Sequence, residues 1–238
     1  MVETGNAHEQ LVIAIDGPSG SGKSSVSRAV ATRLGVGYLD TGAMYRALTW
    51  WCLDQGIDLA DHAAVVTAAE TFPLDLVTDP EAPSVRVGDT DVTTDIRGER
   101  VTSHVTAVAT NKGVRPVLQD LQRRLIKAIA QASGGVVAEG RDITTVVAPD
   151  ADVRLLLTAS EEARLRRRST ELHGTADLAA VAATHDQIVQ RDKADATVSQ
   201  FTEAADGVVT LDTSDLDFEE SVQAVLAVIR ERTAPSDQ

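Results

Sequence analysis

Disulfide chemistry is excluded at the outset, because the 238-residue chain carries one cysteine, Cys52, and a lone thiol forms no intrachain bridge. That fits a reducing cytoplasm, and Cys52 reads as a packed core residue rather than a nucleophile. Metal-ligand spacing is lacking as well: His8, His62, His104, His173 and His185 are scattered, and no zinc site is expected. Basic residues are in deficit, with 22 Lys and Arg against 36 Asp and Glu and a net charge of -14. This argues against general nucleic-acid binding through phosphate neutralisation, so basic residues that do cluster need a local reason. No apolar run approaches the roughly 20 residues of a membrane span. Met1 to Gln10 also lacks a basic segment followed by an apolar stretch, the mark of a secretory leader. The expectation is a soluble, cytoplasmic monomer that binds neither membrane nor nucleic acid. Internal repeats and low-complexity segments are absent too.

What is present is organised around IAIDGPSGSGKSS, Ile13 to Ser25, in which Gly17 to Ser24 match GxxxxGK[ST]. The context suits the motif, since Leu11 to Ile15 form an apolar run of buried-strand length and Ser24 to Leu34 read as a helix. Glycines at 17, 20 and 22 let successive N–H groups turn inward around phosphate oxygens, and the helix aims its N-terminus at the same anion. Gly17, Pro18, Ser19, Gly20, Ser21, Gly22, Lys23, Ser24 and Ser25 are therefore candidate ATP-binding residues. Lys23 is placed for the β- and γ-phosphates and Ser24 for a nucleotide-bound Mg2+.

Strand and helix patterns then alternate. A short strand at Val36 to Asp40 precedes a helix from Thr41 through Leu53. Asp58 to Gly98 break into brief alternating pieces among Asp, Pro and Gly, and read as a small β-rich insertion. Helices are expected over Val101–Thr110 and Val114–Ala132, strands at Val136–Ala138 and Val153–Leu157, and helices from Ser160 to Leu172 and Asp177 to Arg191. A last strand, Val208–Leu211, and a closing helix, Phe218–Ile229, follow. This order implies an α/β fold with a parallel sheet covered on both faces, whose ligands sit beyond the carboxyl ends of the strands. The expected division is a flexible stretch 1–10, one domain over 11–232 and a tail 233–238. Within that domain the core is 11–57, 99–158 and 207–232, the insertion 58–98 and a lid 160–200.

Three further stretches place charge at strand ends: DTGAMYR at Asp40 to Arg46, EGRDITTVVAPDADV at Glu139 to Val153, and RDKAD at Arg191 to Asp195. Arg46, Arg141 and Arg191 could each pair with a nearby Asp at a helix end. Gathered on one sheet edge beside a phosphate loop, they favour a clamp for phosphate oxygens.

In this order, GPSGSGKSS, LDTGAMYR, EGRDITTVV and RDKAD resemble the bacterial cytidylate kinases, a branch of the nucleoside monophosphate kinases, from Leu11 to about Arg232. The resemblance implies a P-loop NTPase-type five-stranded parallel sheet, a monophosphate-binding insertion and a helical lid. It also implies transfer of the γ-phosphoryl of ATP to CMP or dCMP, with Mg2+. Carried across position by position, Thr41, Arg46 and Arg141 grip the acceptor phosphate, Thr106, Arg115 and Asp142 read cytosine, and Arg191 and Asp195 hold the ribose. Lys23, Arg46 and Arg141 are the candidate catalytic residues. The chain departs from the pattern at Ala194, Ala196 and Val198, where a further arginine is common, at Thr144 in place of glycine, and at Glu139 where aspartate is frequent.

A phosphate monoester is largely dianionic at neutral pH, so the acceptor needs no base, and the remaining task is positioning and positive charge. Arg164, Arg166, Arg167 and Arg168 form the densest basic cluster. Two readings of it stand: a solvated helix surface, or a lid that closes Arg164, Arg167 and Arg168, which share one helical face, over the transferring group. The rival from another class is a GTP-dependent switch. DIRG at Asp95 to Gly98 matches DxxG, but Val114 stands where NKxD requires aspartate. A kinase acting on UMP, AMP or another small metabolite is the runner-up.

Overall fold

A computed structural model describes residues 10–234. Its core is a parallel sheet of β1 (Leu11–Asp16), β2 (Gly37–Asp40), β6 (Gly135–Gly140), β7 (Val153–Thr158) and β8 (Val209–Asp212), in the order β2-β6-β1-β7-β8. β1 is central and buried on both faces. Ile13 and Ile15 pack with Val26, Val30 and Val225 from α1 (Lys23–Leu34) and α9 (Phe218–Thr233). Ala14, between them in sequence, faces Ile126 and Ile129 of α6 (Val114–Ser133) on the opposite side, as the period of two in a strand requires. Register brings Asp16 beside Gly140, Asp40 beside Glu139 and Thr158 beside Asp212. The expected charged residues therefore share one rim.

Helix α2 (Thr41–Asp54) starts directly from β2, because the Asp40 carboxylate caps it by accepting the Ala43 N–H at 2.8 Å. The insertion contains the antiparallel sheet of β3 (Leu74–Val77), β4 (Ser84–Val87) and β5 (Thr90–Asp91). It opens, however, with a helix that the β-rich reading did not anticipate, α3 (His62–Thr71), capped by Asp61 through the Ala64 N–H at 3.0 Å. A cluster including Leu48, Cys52, Val65, Phe72, Ile96 and Leu118 packs these pieces against α2 and α6. Cys52 is fully buried there, and burial pushes its thiol up to about 11, in keeping with a packing role.

Two other expectations are corrected. The helix expected over Val101–Thr110 is a pair of short ones, α4 (Glu99–Thr102) and α5 (Val105–Ala109). RDKAD does not lie at a strand end. After α7 (Glu161–His173), α8 runs over Leu178–Ala196 and carries RDKAD in its last turns, where Arg191 and Asp195 are an i,i+4 pair on the helix. No helix among the described residues is long and apolar enough to cross a membrane.

Candidate active site

The loop leaving β1 enters α1 through Gly22. Gly20 and Gly22 adopt φ of +76° and +85°, a region strained for residues with a Cβ. Lys23 Nζ lies 3.5 Å from the Pro18 carbonyl oxygen, so the side chain folds back over the loop. Burial, then Arg141, lowers the Lys23 pKa, while Glu139 acts in the opposite sense. Ser24 Oγ donates to Glu139 Oε1 at 2.6 Å. Glu139 is 2% exposed, and burial followed by the nearby Asp40 raises its carboxyl above the ordinary range.

A hollow in front of this loop is walled by Lys23, Arg46, Arg141, Arg168 and Arg191. Arg46 is 7% exposed, with Nη1 donating to the Ile96 carbonyl at 3.0 Å and Thr102 Oγ1 at 2.9 Å. Burial, then Arg168, lowers its pKa to about 10. Arg141 follows β6, donates to Ser19 Oγ at 2.8 Å and stacks over the Phe201 ring at 5.0 Å. Arg191 comes from α8, and burial, Arg141 and Arg46 together lower its pKa to about 9. Arg97, on the short turn Asp95–Arg97, lines the same hollow and pairs with Asp40 at 3.0 Å.

Arg141 and Arg191 also wall an adjoining hollow with Thr41, Tyr45, Arg115, Asp142, Asp195 and Ser199. Asp142 Oδ2 accepts from Arg115 Nη2 at 2.6 Å and Gln119 Nε2 at 2.7 Å, and Arg115 reaches Ser199 Oγ at 2.9 Å. Asp195 Oδ2 lies 2.8 Å from Arg141 Nε. Thr41 Oγ1 donates to the Glu139 carbonyl at 2.8 Å. Thr106 is not among the residues lining this hollow, which α5 meets through Val105 and Ala109.

The turn that presents Asp142 is tied to β1. Asp16 accepts from the N–H groups of Ile143 and Thr144 at 3.0 and 2.8 Å and from Thr144 Oγ1 at 2.6 Å. This shapes a single wide helical turn, Ile143–Val147. Burial outweighs those three bonds and raises the Asp16 carboxyl to about 6.

The arginine cluster on α7 divides. Arg164 Nη1 donates to the Ser19 carbonyl at 2.9 Å, Arg168 lines the charged hollow, and Arg167 donates to Thr213 Oγ1 at 3.0 Å and the Leu216 carbonyl at 3.1 Å. Arg166 stays on the wet face near Glu162, at 3.5 Å. A third hollow behind the loop is bounded by Gly22, Arg167, Leu216 and Phe218. Sequence reasoning missed Arg97, Gln119, Asp192 and Ser199. Asp192 lay inside RDKAD and Arg97 inside DIRG, whereas Gln119 and Ser199 bore no local signal.

The family model for cytidylate kinase matches residues 13–231. Cytidylate kinase of Streptomyces avermitilis is 46% identical over 225 residues, covering 94% of each chain. That of Rhodococcus opacus is 46% identical over 94% of this chain and 96% of its own length. That of Cutibacterium acnes is 44% identical over 92% and 96%. The strand–loop–helix phosphate site, the arginine-walled hollow on the same sheet rim and these full-length similarities agree: the chain belongs to the cytidylate kinase family.

Proposed function

We propose that this protein transfers the γ-phosphoryl group of ATP to CMP or dCMP, as a cytoplasmic monomer. The observation that carries the reading is the convergence of Lys23, Arg46, Arg141 and Arg191 on one hollow, where neighbouring positive charges help lower the pKa values of Arg46 and Arg191. A site that holds cations against their mutual repulsion is relieved by a polyanion. The similarity to enzymes named cytidylate kinase supports cytosine as the acceptor base.

In this reading Gly17 to Ser25 hold the triphosphate, and the donor base lies in the hollow bounded by Arg167, Leu216 and Phe218. Thr41, Arg46 and Arg141 hold the acceptor phosphate, and Arg191 and Asp195 the ribose. Asp142 accepts the exocyclic amino group of cytosine. Arg115 and Gln119 both meet Oδ2, and this reading gives Oδ1 to the ligand. The insertion over 58–98 closes on the acceptor and the segment 160–200 on the donor.

Ser24, with Glu139 at 2.6 Å and Asp40 on the neighbouring strand end, is a hard-oxygen set that fits Mg2+. When bound, the ion would neutralise charge on the donor phosphates. An acceptor phosphate oxygen attacks the γ-phosphorus, the bond to the β–γ bridging oxygen breaks, and ADP leaves with the electron pair. Lys23 and the arginines offset the repulsion between the two nucleotides, and enclosure keeps water from intercepting the phosphoryl group. An ADP-release assay across CMP, dCMP, UMP and AMP tests this reading. CMP and dCMP should be used far faster than UMP or AMP. ADP release independent of the acceptor, or a preference for AMP, would overturn it.

A further inference from the structure

Ser19, near the apex of the phosphate loop, is enclosed by charged groups from elements distant in sequence. Its N–H donates to Asp192 Oδ1 at 3.1 Å, from the last turns of α8. The same carboxylate accepts from Arg141 Nη2 at 3.3 Å and Arg164 Nη1 at 2.5 Å. Arg141 also reaches Ser19 Oγ, and Arg164 the Ser19 carbonyl. The Asp192 side chain is 15% exposed, so these bonds are only partly screened by solvent.

A backbone N–H of the phosphate loop and two guanidinium groups are the donors a phosphate oxygen seeks. Here an aspartate occupies them. We propose that Asp192 is an internal stand-in for donor phosphate. While the loop is free of nucleotide, its carboxylate holds Arg141 and Arg164 together beside Ser19. The incoming triphosphate takes its place, and the arginines transfer to the new anion without having to be gathered from solvent. Asp192 is thus a positioning residue that competes with ATP on the loop and prepares the arginines for transfer.

This inference rests on the phosphoryl-transfer reading above and makes an opposed pair of predictions that an ordinary structural ion pair does not. Asp192→Asn keeps the side-chain shape and removes the competing charge. Binding of a non-hydrolysable ATP analogue, measured by calorimetry without acceptor, should tighten about ten- to a hundredfold, the scale of one charge-assisted hydrogen bond. Turnover with CMP should fall while KM for ATP also falls, because the arginines lose the group that aligns them. Asp192→Ser, too short to reach Ser19, repeats the test if the amide variant does not fold. Unchanged or weaker analogue binding in the folded variant, beside an active wild type, would overturn the role of Asp192. A wild type that neither binds the analogue nor phosphorylates CMP would instead remove the transfer reading beneath it.

Discussion

Lys23 sits where its charge is costly. Burial and the neighbouring Arg141 both disfavour its ammonium form, so it sustains positive charge that folding alone would not select. Replacing it should therefore separate activity from stability. Lys23→Ala is expected to lower turnover by about 10²–10³-fold and to leave the thermal midpoint unchanged or raised. Activity within a few-fold of wild type would exclude a role in transfer. Asp142 makes a different demand in the proposed reading, because a carboxylate oxygen suits an amino group and repels a carbonyl. Asp142→Ala should raise KM for CMP while leaving ATP affinity close to wild type, and a comparison of CMP with UMP kinetics would show the discrimination narrowed. Equal losses for every acceptor would reject base reading. These residues were legible in the sequence as candidates, because phosphate and base chemistry specify residue types. Gln119 and Ser199 were not, since each acts on the side chain of another residue, Asp142 or Arg115, brought in by the fold.

Among the elements, the turn after β6 shows how the scaffold carries the site. Asp16 sits in the same strand that feeds the phosphate loop, and its carboxylate fastens Ile143 and Thr144. One strand end therefore positions both the phosphate loop and the turn that carries Asp142, the residue proposed to meet the base. Thr144, where the family more often has glycine, contributes a hydroxyl to this clasp. Because the folded-state pKa is raised to about 6, the folded protein binds the Asp16 proton more tightly than the unfolded chain. The penalty for the buried charge is present at neutral pH and is relieved as pH falls from about 7 towards 4. Relative to Asp16→Ala, the wild type should gain up to about 3 kcal/mol over that interval. Denaturant unfolding at matched pH values measures it, and a difference that shrinks as pH falls would contradict the cause assigned.

Element boundaries show where pattern reading failed. The strands of the central sheet were legible as apolar runs, four of the five closing on Asp or Glu at or next to their last residue. Helix α3 was lost among the alternating pieces that follow it, although Asp61 offered a capping signal. The end of α8 was misplaced because its charged residues resemble a loop until the fold supplies Arg141 and Ser19 as their partners.

At the scale of the whole molecule, a chain of net charge -14 concentrates a group of its cations at one place. Lys23, Arg46, Arg141, Arg168 and Arg191 face one hollow, and the long acidic excess elsewhere leaves that hollow as the place where a nucleotide is attracted. The adjoining hollow shares Arg141 and Arg191 as its wall. Two nucleotides bound in these spaces would meet end to end across shared guanidinium groups. The most direct test is calorimetric binding of a conjugate in which adenosine and cytidine are joined by a polyphosphate chain. If both spaces form one continuous site, the conjugate should bind at least about 10²-fold more tightly than ATP or CMP alone, with most of that gain lost in Arg141→Ala. A conjugate that binds no more tightly than ATP, or that leaves CMP binding undisturbed, would contradict the account.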